Sequence, residues 1–426
     1  DSFNTAVGYT AGLNVTTAVN NTIIGALAGD ALTTGNENVA VGFEALSTED
    51  ASGGNTAVGS AALKAQDTGV TAAFNTGVGH NAGLSVTTGV ENTLMGASAG
   101  DALTDADYNT AVGVGALGSD TLGSRSTALG YSALFAQNFT TATDSYNIAV
   151  GYNAGGSVTT GDLNTLIGGL AGDALTSGNG NVAVGYNTLG ADTLGDRNVA
   201  LGNHALSSQN FTTTTDAYNV AVGFLTGSSV TTGIQNTFVG GQAGSSVTSG
   251  SNNTFIGLNA GVTGSPGGNI TTGSNTIGLG NANIASLSCQ VSLTATSDMR
   301  DKTDFKDLDL GLAFVKELKP VTYVWDKRAD YGAVTAEDFD LSSITPDGTH
   351  KDDDLQVGFK AQDVIALEDA AGYKLSDKTN LTATITADGK QYGLMYERFI
   401  PILVKSIQEQ NALIEALTAR VATLEG

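Results

Sequence analysis

The chain has 426 residues, 41% of them hydrophobic, so it is long and apolar enough to fold into two or three domains rather than stay disordered. Only 14% of its residues are charged, against roughly 25% in an average protein. Glycine accounts for 57 of the 426 residues, well above the average share of about 7%. Both values indicate many turns and thin, regular layers. The formal net charge of −24 excludes a nucleic-acid-binding surface, and the single cysteine, Cys289, excludes an intrachain disulfide or a cysteine-based metal site.

Nearly the same five residues, such as NTAVG at 4–8 and NIAVG at 147–151, recur along the first two thirds of the chain. Most copies are seventeen residues apart and a few are longer by three to five, so that a super-repeat of four units restarts at Asn75, Asn147 and Asn219. Each copy opens on an asparagine or its equivalent: Asn4, Asn21, Asn38, Asn55, Asn75, Asn92, Asn109, Ser126, Asn147, Asn164, Asn181, Asn198, Asn219, Asn236, Asn253 and Asn275.

Seventeen residues are too few for a pair of helices but suit one coil of a parallel β-solenoid. We predict two strands of about four or five residues per coil, joined by glycine turns with positive φ. The alternation in N-T-A-V-G directs Thr and Val to one face and Ala to the other, which predicts a thin layer packed on small side chains. The opening asparagines either form an amide ladder between coils or serve as turn residues, and the two interpretations are compatible.

Such coils have little core of their own because Ala and Gly dominate the inward positions, so neighbouring copies must supply the rest. We therefore predict a homotrimer of solenoids packed about a threefold axis. The string N-x-A-V-G-x-x-A-L resembles the head repeats of trimeric autotransporter adhesins and of related phage tail-fibre shafts. This resemblance covers residues 4 to about 285 and implies a shaft, without indicating a specific function.

The longer units insert three to five residues at matching places, in AQDTGVTAAF at 65–74, FAQNFTTATDSY at 135–146 and SQNFTTTTDAY at 208–218. Because the insertions recur every fourth coil, coils of nearly equal twist place them along one line of each subunit. Thr, Asn, Asp and aromatic side chains are suited to bind sugars, so Asn138, Phe139, Asn210 and Phe211 are candidate contacts to a host-surface glycan. The alternative is that the insertions are merely tolerated, or pack between subunits with Phe139 and Phe211 buried.

The repeat stops after Asn283, and the composition changes there. Fifteen of the 18 basic residues, three of the four prolines and the only tryptophan lie downstream. We predict a shaft over 1–285, a linker over 286–296, a small α+β domain over 297–394 and a coiled coil over 395–426. Within the small domain, Asp309 is a candidate cap for a short amphipathic helix, Pro320 ends that helix, and VTYVW is predicted to be a strand.

Four motifs follow one another in the last third of the chain. They are S-D-x-R-x-K from residue 297, G-L-x-x-V-x-x-L-x-P-V-x-Y-x-W from 311, V-G-F-x-A-Q-x-V from 357 and Y-x-x-x-I-P-x-L-V-K-x-I-Q from 396. In this order they resemble the C-terminal intramolecular chaperone domain of phage tail fibres and endosialidase tailspikes. The resemblance covers residues 297 to 426 and implies a domain that drives trimerisation and then cuts itself off.

The resemblance implies a Ser/Lys dyad, with Ser297 as the nucleophile, Lys302 as the general base and the Thr296–Ser297 peptide bond as the bond that is cut. Asp298 and Arg300 also match the motif and are expected to hold the loop. The sequence departs from the family at Asp301, where an apolar residue is usual, and an acidic neighbour favours the charged form of a lysine. Taken alone, Ser297 and Asp298 favour a polar turn, and it is the three motifs that follow which favour the dyad instead.

The tail from Ile400 contains a heptad pattern. Ile400, Ile407, Ile414 and Val421 occupy one core position, and Leu403, Gln410, Leu417 and Leu424 occupy the other. This predicts a coiled coil, in which a buried Gln410 would fix the register. The pattern does not select three strands over two, so the trimer rests on the resemblance and on the shaft's need for partners.

The sequence thus predicts an all-β, parallel β-solenoid shaft, followed by a small α+β domain that ends in a trimeric coiled coil. We expect a trimeric tail-fibre protein of the virion, assembled in the host cytoplasm, which contacts other tail or baseplate proteins and a host glycan. The alternatives are a polysaccharide-degrading tailspike, which needs two carboxylates on the order of 5–10 Å apart, and a bacterial trimeric surface adhesin. No cofactor, metal, nucleic acid or membrane insertion is expected, because no matching motif and no run of about 18 apolar residues is present.

Overall fold

The computed structural model describes residues 3–265, 267–284, 286–290, 295–332 and 340–425. It forms two compact units. The first consists of Asp1–Ala260 and Thr271–Leu279, and the second of Gly261–Ile270 and Gly280–Gly426. Within the described ranges, no helix combines the length and the apolar character needed to cross a membrane.

The first unit is a parallel β-solenoid, which confirms the predicted fold class. Sixteen strands of three residues, one from each coil, pair in parallel with their sequence equivalents aligned. The prediction of two longer strands per coil was wrong, because turns occupy most of the rest of each coil. In chain order the strands are β1 Thr5–Val7, β2 Thr22–Ile24, β3 Val39–Val41, β4 Thr56–Val58, β5 Thr76–Val78, β6 Thr93–Met95, β7 Thr110–Val112, β8 Gly123–Ser124, β9 Thr127–Leu129, β10 Thr143–Asp144, β11 Ile148–Val150, β12 Thr165–Ile167, β13 Val182–Val184, β14 Gly195–Asp196, β15 Val199–Leu201, β16 Thr215–Asp216, β17 Val220–Val222, β18 Thr237–Val239, β19 Thr254–Ile256 and β20 Ile277–Leu279. The two-residue strands form two separate pairs, β8 with β10 and β14 with β16.

The solenoid interior is a single layer of mostly small side chains. The central residue of each inner strand is buried and its two neighbours are partly or largely exposed, as the alternation of Ala with Thr and Val predicts. Ala and Leu fill most of the interior, and near its end Phe238 stacks on Phe255 at 5.5 Å between ring centroids. Each coil is therefore stabilised mainly by the coils on either side of it.

A column of buried asparagines forms the amide ladder that the sequence left open. Asn164 Oδ1 accepts a hydrogen bond from the main-chain N–H of Asn181 at 3.0 Å, and Asn164 Nδ2 donates to the carbonyl of Gly178 at 2.9 Å. The first bond joins two coils and the second closes one coil. Where the column meets Ser126, the main-chain N–H still bonds to the preceding asparagine.

The ladder ends one residue later than the repeat predicted. The main-chain N–H of Thr276, and not that of Asn275, donates to Asn253 Oδ1 at 3.0 Å. Asn275 instead has φ +60° in the preceding turn. The last coil is therefore one residue longer than counted, and this shift places Ile277 opposite Thr254 in the sheet.

One glycine per coil stacks directly on the glycine of the next coil. Gly151 has φ +140°, and a Cβ added to it would lie 2.5 Å from the carbonyl oxygen of Gly168. Any side chain at these positions would therefore clash with backbone and adopt an unfavourable φ. The glycines of the N-T-A-V-G repeat thus set both the turn and the close approach of the coils.

A buried carboxylate anchors each insertion. Asp120 Oδ2 accepts from Gln137 Nε2 at 2.6 Å, and its Oδ1 accepts from the main-chain N–H of Gly123 and of Phe139 at 3.1 and 3.0 Å. Each of the first three super-repeats has such a fully buried pair, namely Glu49 with Gln66, Asp120 with Gln137 and Asp192 with Gln209. Sequence analysis missed these pairs, although the acid and the glutamine are one repeat length apart in each of the three.

The second unit is a small α+β domain, as predicted. Its elements are α1 Leu312–Glu317, β21 Val321–Tyr323, β22 Gln356–Gly358, α2 Ala361–Ala370, β23 Ala383–Ile385, β24 Tyr392–Leu394 and α3 Phe399–Glu425, with short 3-10 helices at Met299–Asp301, Arg328–Tyr331, Leu341–Ser343 and Tyr396–Arg398. β21 pairs antiparallel with β22, and β23 with β24. The core consists of Leu310, Phe314, Val364, Phe399 and Ile402.

The cap of α1 differs from the prediction. Gly311 is the N-cap residue, and Asp309 instead accepts a hydrogen bond from the hydroxyl of Tyr373. The main-chain N–H of Leu312 donates to Glu409 Oε2 of α3 at 2.7 Å. A carboxylate from a distant helix therefore satisfies the start of α1.

Replacing a ladder asparagine should destabilise the solenoid. In Asn164→Ala, the N–H of Asn181 and the carbonyl of Gly178 lose buried partners, which lowers the free energy of unfolding by about 2–3 kcal/mol. We expect a lower melting temperature in circular dichroism than for the parent. The control Asn203→Ala, at an exposed position, should melt with the parent. Equal melting of all three chains would show that the ladder adds no stability.

Candidate functional site

The predicted dyad residues are in contact. Lys302 Nζ donates a hydrogen bond to Ser297 Oγ at 2.5 Å. The 3-10 helix Met299–Asp301 reverses the chain between them, so that residues five positions apart meet across one tight turn. Side chains this close allow a neutral lysine to take the proton of the serine hydroxyl.

Asp298 and Arg300 hold this turn. Asp298 is the N-cap residue, and its Oδ1 accepts from the main-chain N–H of Arg300 at 2.9 Å. The guanidinium of Arg300 also binds the carboxylate, with Nη2 2.6 Å from Oδ2. Donation by the Arg300 side chain and main chain lowers the pKa of Asp298, so the cap is ionised at neutral pH. Asp298 and Arg300 thus contact each other within the turn, and the role expected for them at the site stays a prediction.

The dyad lies at the surface of the single chain. Thr296, Ser297 and Lys302 are all exposed. Asp301 is exposed as well, and within the described range 295–332 no ion pair joins it to Lys302. The turn therefore supplies the contact between Ser297 and Lys302, while the part of the chain that the structure describes leaves Lys302 exposed to water.

The other motifs of the C-terminal domain have structural contacts. The N–H of Phe359 donates to the hydroxyl of Tyr396 at 3.1 Å, which joins the third motif to the fourth. Glu368 is buried, and its Oε1 accepts from the N–H and the hydroxyl of Thr382 at 2.6 and 2.7 Å. Sequence analysis did not identify Glu368, because nothing in its local sequence distinguishes it from a surface acid.

A cavity of about 670 Å³ lies in the same domain, and aromatic side chains line much of it. They are Tyr323, Trp325, Phe359, Tyr392 and Tyr396. Neither dyad residue lines this cavity. Among the residues that the structure describes, no group of three or more His, Cys, Asp or Glu side chains is arranged to hold a metal ion.

The candidate glycan-binding residues differ in burial. Asn138 and Asn210 are exposed, but Phe139 and Phe211 are only 6% and 5% exposed. The prediction that these two rings contact a glycan was therefore wrong, because the insertions fold inward at the phenylalanines, where the buried Asp120 and Asp192 bind their main-chain N–H groups.

The exposed aromatic residues of the insertions are Phe74, Phe135, Tyr146 and Tyr218. Tyr146 and Tyr218, which sequence analysis did not single out, are about half exposed and lie beside arginines. The guanidinium of Arg125 lies between the rings of Tyr108 and Tyr146, 4.8 and 6.0 Å from their centroids. Arg197 covers the ring of Tyr218 in the same way, at 5.8 Å. Both tyrosines directly precede a ladder asparagine, so the repeat could have located them.

Residues 297–373 match the model of a peptidase family described as chaperone of endosialidase. The matched range begins at Ser297 and includes Asp298, Arg300 and Lys302. No curated protein and no solved structure matches the chain.

Removing the cap of the turn should slow any cut at residue 297. Asp298→Ala removes both the N-cap bond and the Arg300 contact, so Ser297 and Lys302 spend less time together. We expect fragments with a new N-terminus at Ser297 to appear on the order of tenfold more slowly, as followed by mass spectrometry. Asp298→Asn, which retains a cap acceptor, should lose less. The control Asp304→Ala, in the exposed segment nearby, should be cut at the rate of the parent. If Asp304→Ala slows the cut as much as Asp298→Ala does, the effect is not due to the cap.

Proposed function

We propose that this chain, a β-solenoid shaft followed by a domain of the chaperone of endosialidase family, is a subunit of a homotrimeric phage tail fibre or tailspike that attaches the virion to its host. Its C-terminal domain drives trimerisation and then releases itself by cutting the Thr296–Ser297 bond. The observation that carries the self-cleavage is the 2.5 Å contact between Lys302 Nζ and Ser297 Oγ, at the first residue of the matched range.

The cut proceeds in two balanced steps. Neutral Lys302 takes the proton of Ser297 Oγ, the oxygen attacks the carbonyl carbon of Thr296, and the C–N bond breaks as the α-amine of Ser297 receives that proton. The resulting ester joins Thr296 to the side chain of Ser297. Water then hydrolyses the ester, leaving a carboxylate on Thr296 and restoring the hydroxyl of Ser297. No cofactor or external substrate is required.

Assembly is the step that prepares Lys302 for this chemistry. A lysine acts as a base only after losing its proton, and removal from water favours the neutral form. In the single chain Lys302 is exposed. We propose that the neighbouring subunits of the trimer cover the turn, so that the chain is cut only after it has assembled.

Two exposed apolar faces support the trimer. On α3 the heptad positions are 44% to 84% exposed, and they are Ile400, Leu403, Ile407, Ile414, Leu417, Val421 and Leu424. On the solenoid, the outer face of the long sheet exposes apolar side chains from many coils, among them Val7, Ile24, Met95, Leu129, Ile148 and Ile256. Contiguous apolar surface of this kind is typical of a subunit interface, and second and third copies of this chain would cover both faces.

Host attachment is proposed for the surface of the insertions. Asn138 and Asn210 are exposed polar residues, and Tyr146 and Tyr218 present half-exposed rings beside Arg125 and Arg197. Aromatic faces with adjacent hydrogen-bonding groups suit the apolar and polar faces of a sugar. The two insertions occupy the same place in successive super-repeats, so each subunit would present the surface at least twice.

The self-cleavage is tested by paired substitutions of the dyad. The parent chain should give a fragment ending at Thr296 and one beginning at Ser297, whereas Ser297→Ala lacks the nucleophile and should remain one chain of 42.9 kDa. Lys302→Arg retains the positive charge but cannot lose its proton, so it should also remain intact. Denaturing gels show whether the chain is intact, and N-terminal sequencing identifies a fragment that begins at Ser297. A parent that stays as intact as Ser297→Ala would refute the cut.

The attachment surface is tested with two tyrosines. The double substitution Tyr146→Ala and Tyr218→Ala should leave the trimer intact and reduce attachment to host cells on the order of tenfold, because two stacking contacts are lost. The control combines Gln235→Ala and Asn252→Ala, which also directly precede ladder asparagines but carry no ring. Attachment is measured by flow cytometry with labelled fibre. If both double variants attach like the parent, the receptor site lies elsewhere on the chain.

A further inference from the structure

The last coil of the shaft contains a loop, Gly261–Ile270, that packs with the C-terminal residues as part of the second compact unit. The residues on either side of it belong to the solenoid. The carbonyl of Ala260 accepts from the N–H of Gly244 at 2.9 Å, and the carbonyl of Thr271 accepts from the N–H of Thr248 at 2.7 Å. Both ends of the loop are therefore anchored to the preceding coil.

The loop has its own internal hydrogen bonds. The buried hydroxyl of Ser265 accepts from the N–H of Gly261 at 3.1 Å and donates to the carbonyl of Val262 at 2.7 Å. The N–H of Ile270 donates to the carbonyl of Gly261 at 3.1 Å and closes the loop. Val262 and Ile270 are buried. The described residues of the loop therefore have hydrogen bonds of their own besides those to the hairpin, and such internal bonds reduce the entropy lost on docking.

The tip of the β23–β24 hairpin contacts this loop by two hydrogen bonds. Asp388 Oδ2 accepts from the main-chain N–H of Asn269 at 3.1 Å, and the N–H of Ala387 donates to the carbonyl of Gly267 at 3.3 Å. Asp388 Oδ1 accepts from the hydroxyl of Thr386 at 2.5 Å. Burial raises the pKa of Asp388, but hydrogen bonds from Thr386, Asn269 and Lys390 outweigh it and lower the pKa overall, so the carboxylate is ionised at neutral pH.

Gly268 fits against the hairpin only because it lacks a side chain. A Cβ on Gly268 would lie 2.7 Å from Asp388 Oδ1 and 2.7 Å from Thr386 Cβ. The neighbouring Gly267 also has positive φ, at +92° against +76° for Gly268, yet a Cβ there would have no atom within 4 Å. Two adjacent glycines that both have positive φ therefore differ in whether an added side chain would clash with the hairpin.

We propose that the loop Gly261–Ile270 is a docking element that retains the C-terminal fragment on the shaft after the Thr296–Ser297 bond has been cut. The proposal rests on the proposed self-cleavage, because only a cut turns this contact into one between two fragments. The loop lies before the cut in sequence and the hairpin after it, so both hydrogen bonds survive the cut. Three copies in a trimer would act together, which makes release a separate and slower step than cleavage.

In the test an added protease makes the cut, so the result does not depend on the dyad. In a Ser297→Ala chain, the exposed residues 286–290 are replaced with the recognition sequence of a site-specific protease. After digestion, size-exclusion chromatography and denaturing gels measure how much C-terminal fragment elutes with the shaft over time. Four such chains are compared. One carries no further change, and the other three carry Gly267→Ala, Gly268→Ala and Asp388→Ala, respectively.

We expect the unsubstituted loop and Gly267→Ala to retain the fragment equally. Gly268→Ala and Asp388→Ala should release it on the order of tenfold faster, because each removes a charge-assisted contact or its close packing. Equal release from Gly267→Ala and Gly268→Ala, together with unchanged release from Asp388→Ala, would overturn the proposal. Because the added protease makes the cut, failure of self-cleavage in the parent leaves this result unaffected, and loss of retention leaves the dyad unaffected.

Discussion

Each coil of the shaft has an interior only one side chain thick, and this constraint governs the rest of the molecule. Ala111 and Leu117 of one coil are fully buried only because the adjacent coils cover them. The asparagine ladder and the glycine column fix how closely and in what register coils stack, as Asn164 and Gly151 illustrate. A coil without neighbours has neither a core nor partners for its amides, so stability accumulates along the array rather than within any coil.

Because the interior of each coil is only one side chain thick, apolar side chains also remain on the outer surface of the shaft. The outer face of the long sheet and the heptad face of α3 remain exposed in the single chain, and further copies of the chain are the proposed partners of both faces. Since Ser297 and Lys302 meet in an exposed turn, contact between nucleophile and base is already present before assembly. In the proposed function, assembly would add the exclusion of water from the lysine. Folding, trimerisation and cleavage would thus follow in a fixed order.

Much of the fold could be predicted because the repeat is periodic. The regular spacing predicted the parallel solenoid, and the alternation in N-T-A-V-G predicted the buried Ala and the exposed Thr and Val. Details that depend on exact register were less accessible, and the replacement of Asn275 by Thr276 in the ladder is the clearest case. The burial of Phe139 and Phe211 depends on Asp120 and Asp192, whose role is set by contacts between coils and not by local sequence.

For the candidate site, the motif order indicated two residues that the structure places in contact, Ser297 and Lys302, and their catalytic roles stay a prediction. The 3-10 turn that brings Ser297 to Lys302 follows from the capping residue Asp298, which a single sequence can suggest. By contrast, the buried Glu368, the capping of α1 by Glu409 and the docking of the loop Gly261–Ile270 link residues that are far apart in the chain. Such contacts carry no local signal, because an acid that binds distant main-chain N–H groups looks like any surface acid.

The most direct test of the account is whether the chain is cut only as a trimer. Ile407→Asp places a charge on the heptad face of α3, whereas the neighbouring Gln408→Asp adds the same charge outside that face. Analytical ultracentrifugation and intact mass spectrometry of the same samples give the oligomeric state and the cleaved fraction. Dependence of the cut on assembly predicts that Ile407→Asp remains monomeric and uncut at 42.9 kDa, while Gln408→Asp forms trimers that are cut between Thr296 and Ser297 like the parent. Monomers of Ile407→Asp cut at the rate of the parent would contradict it.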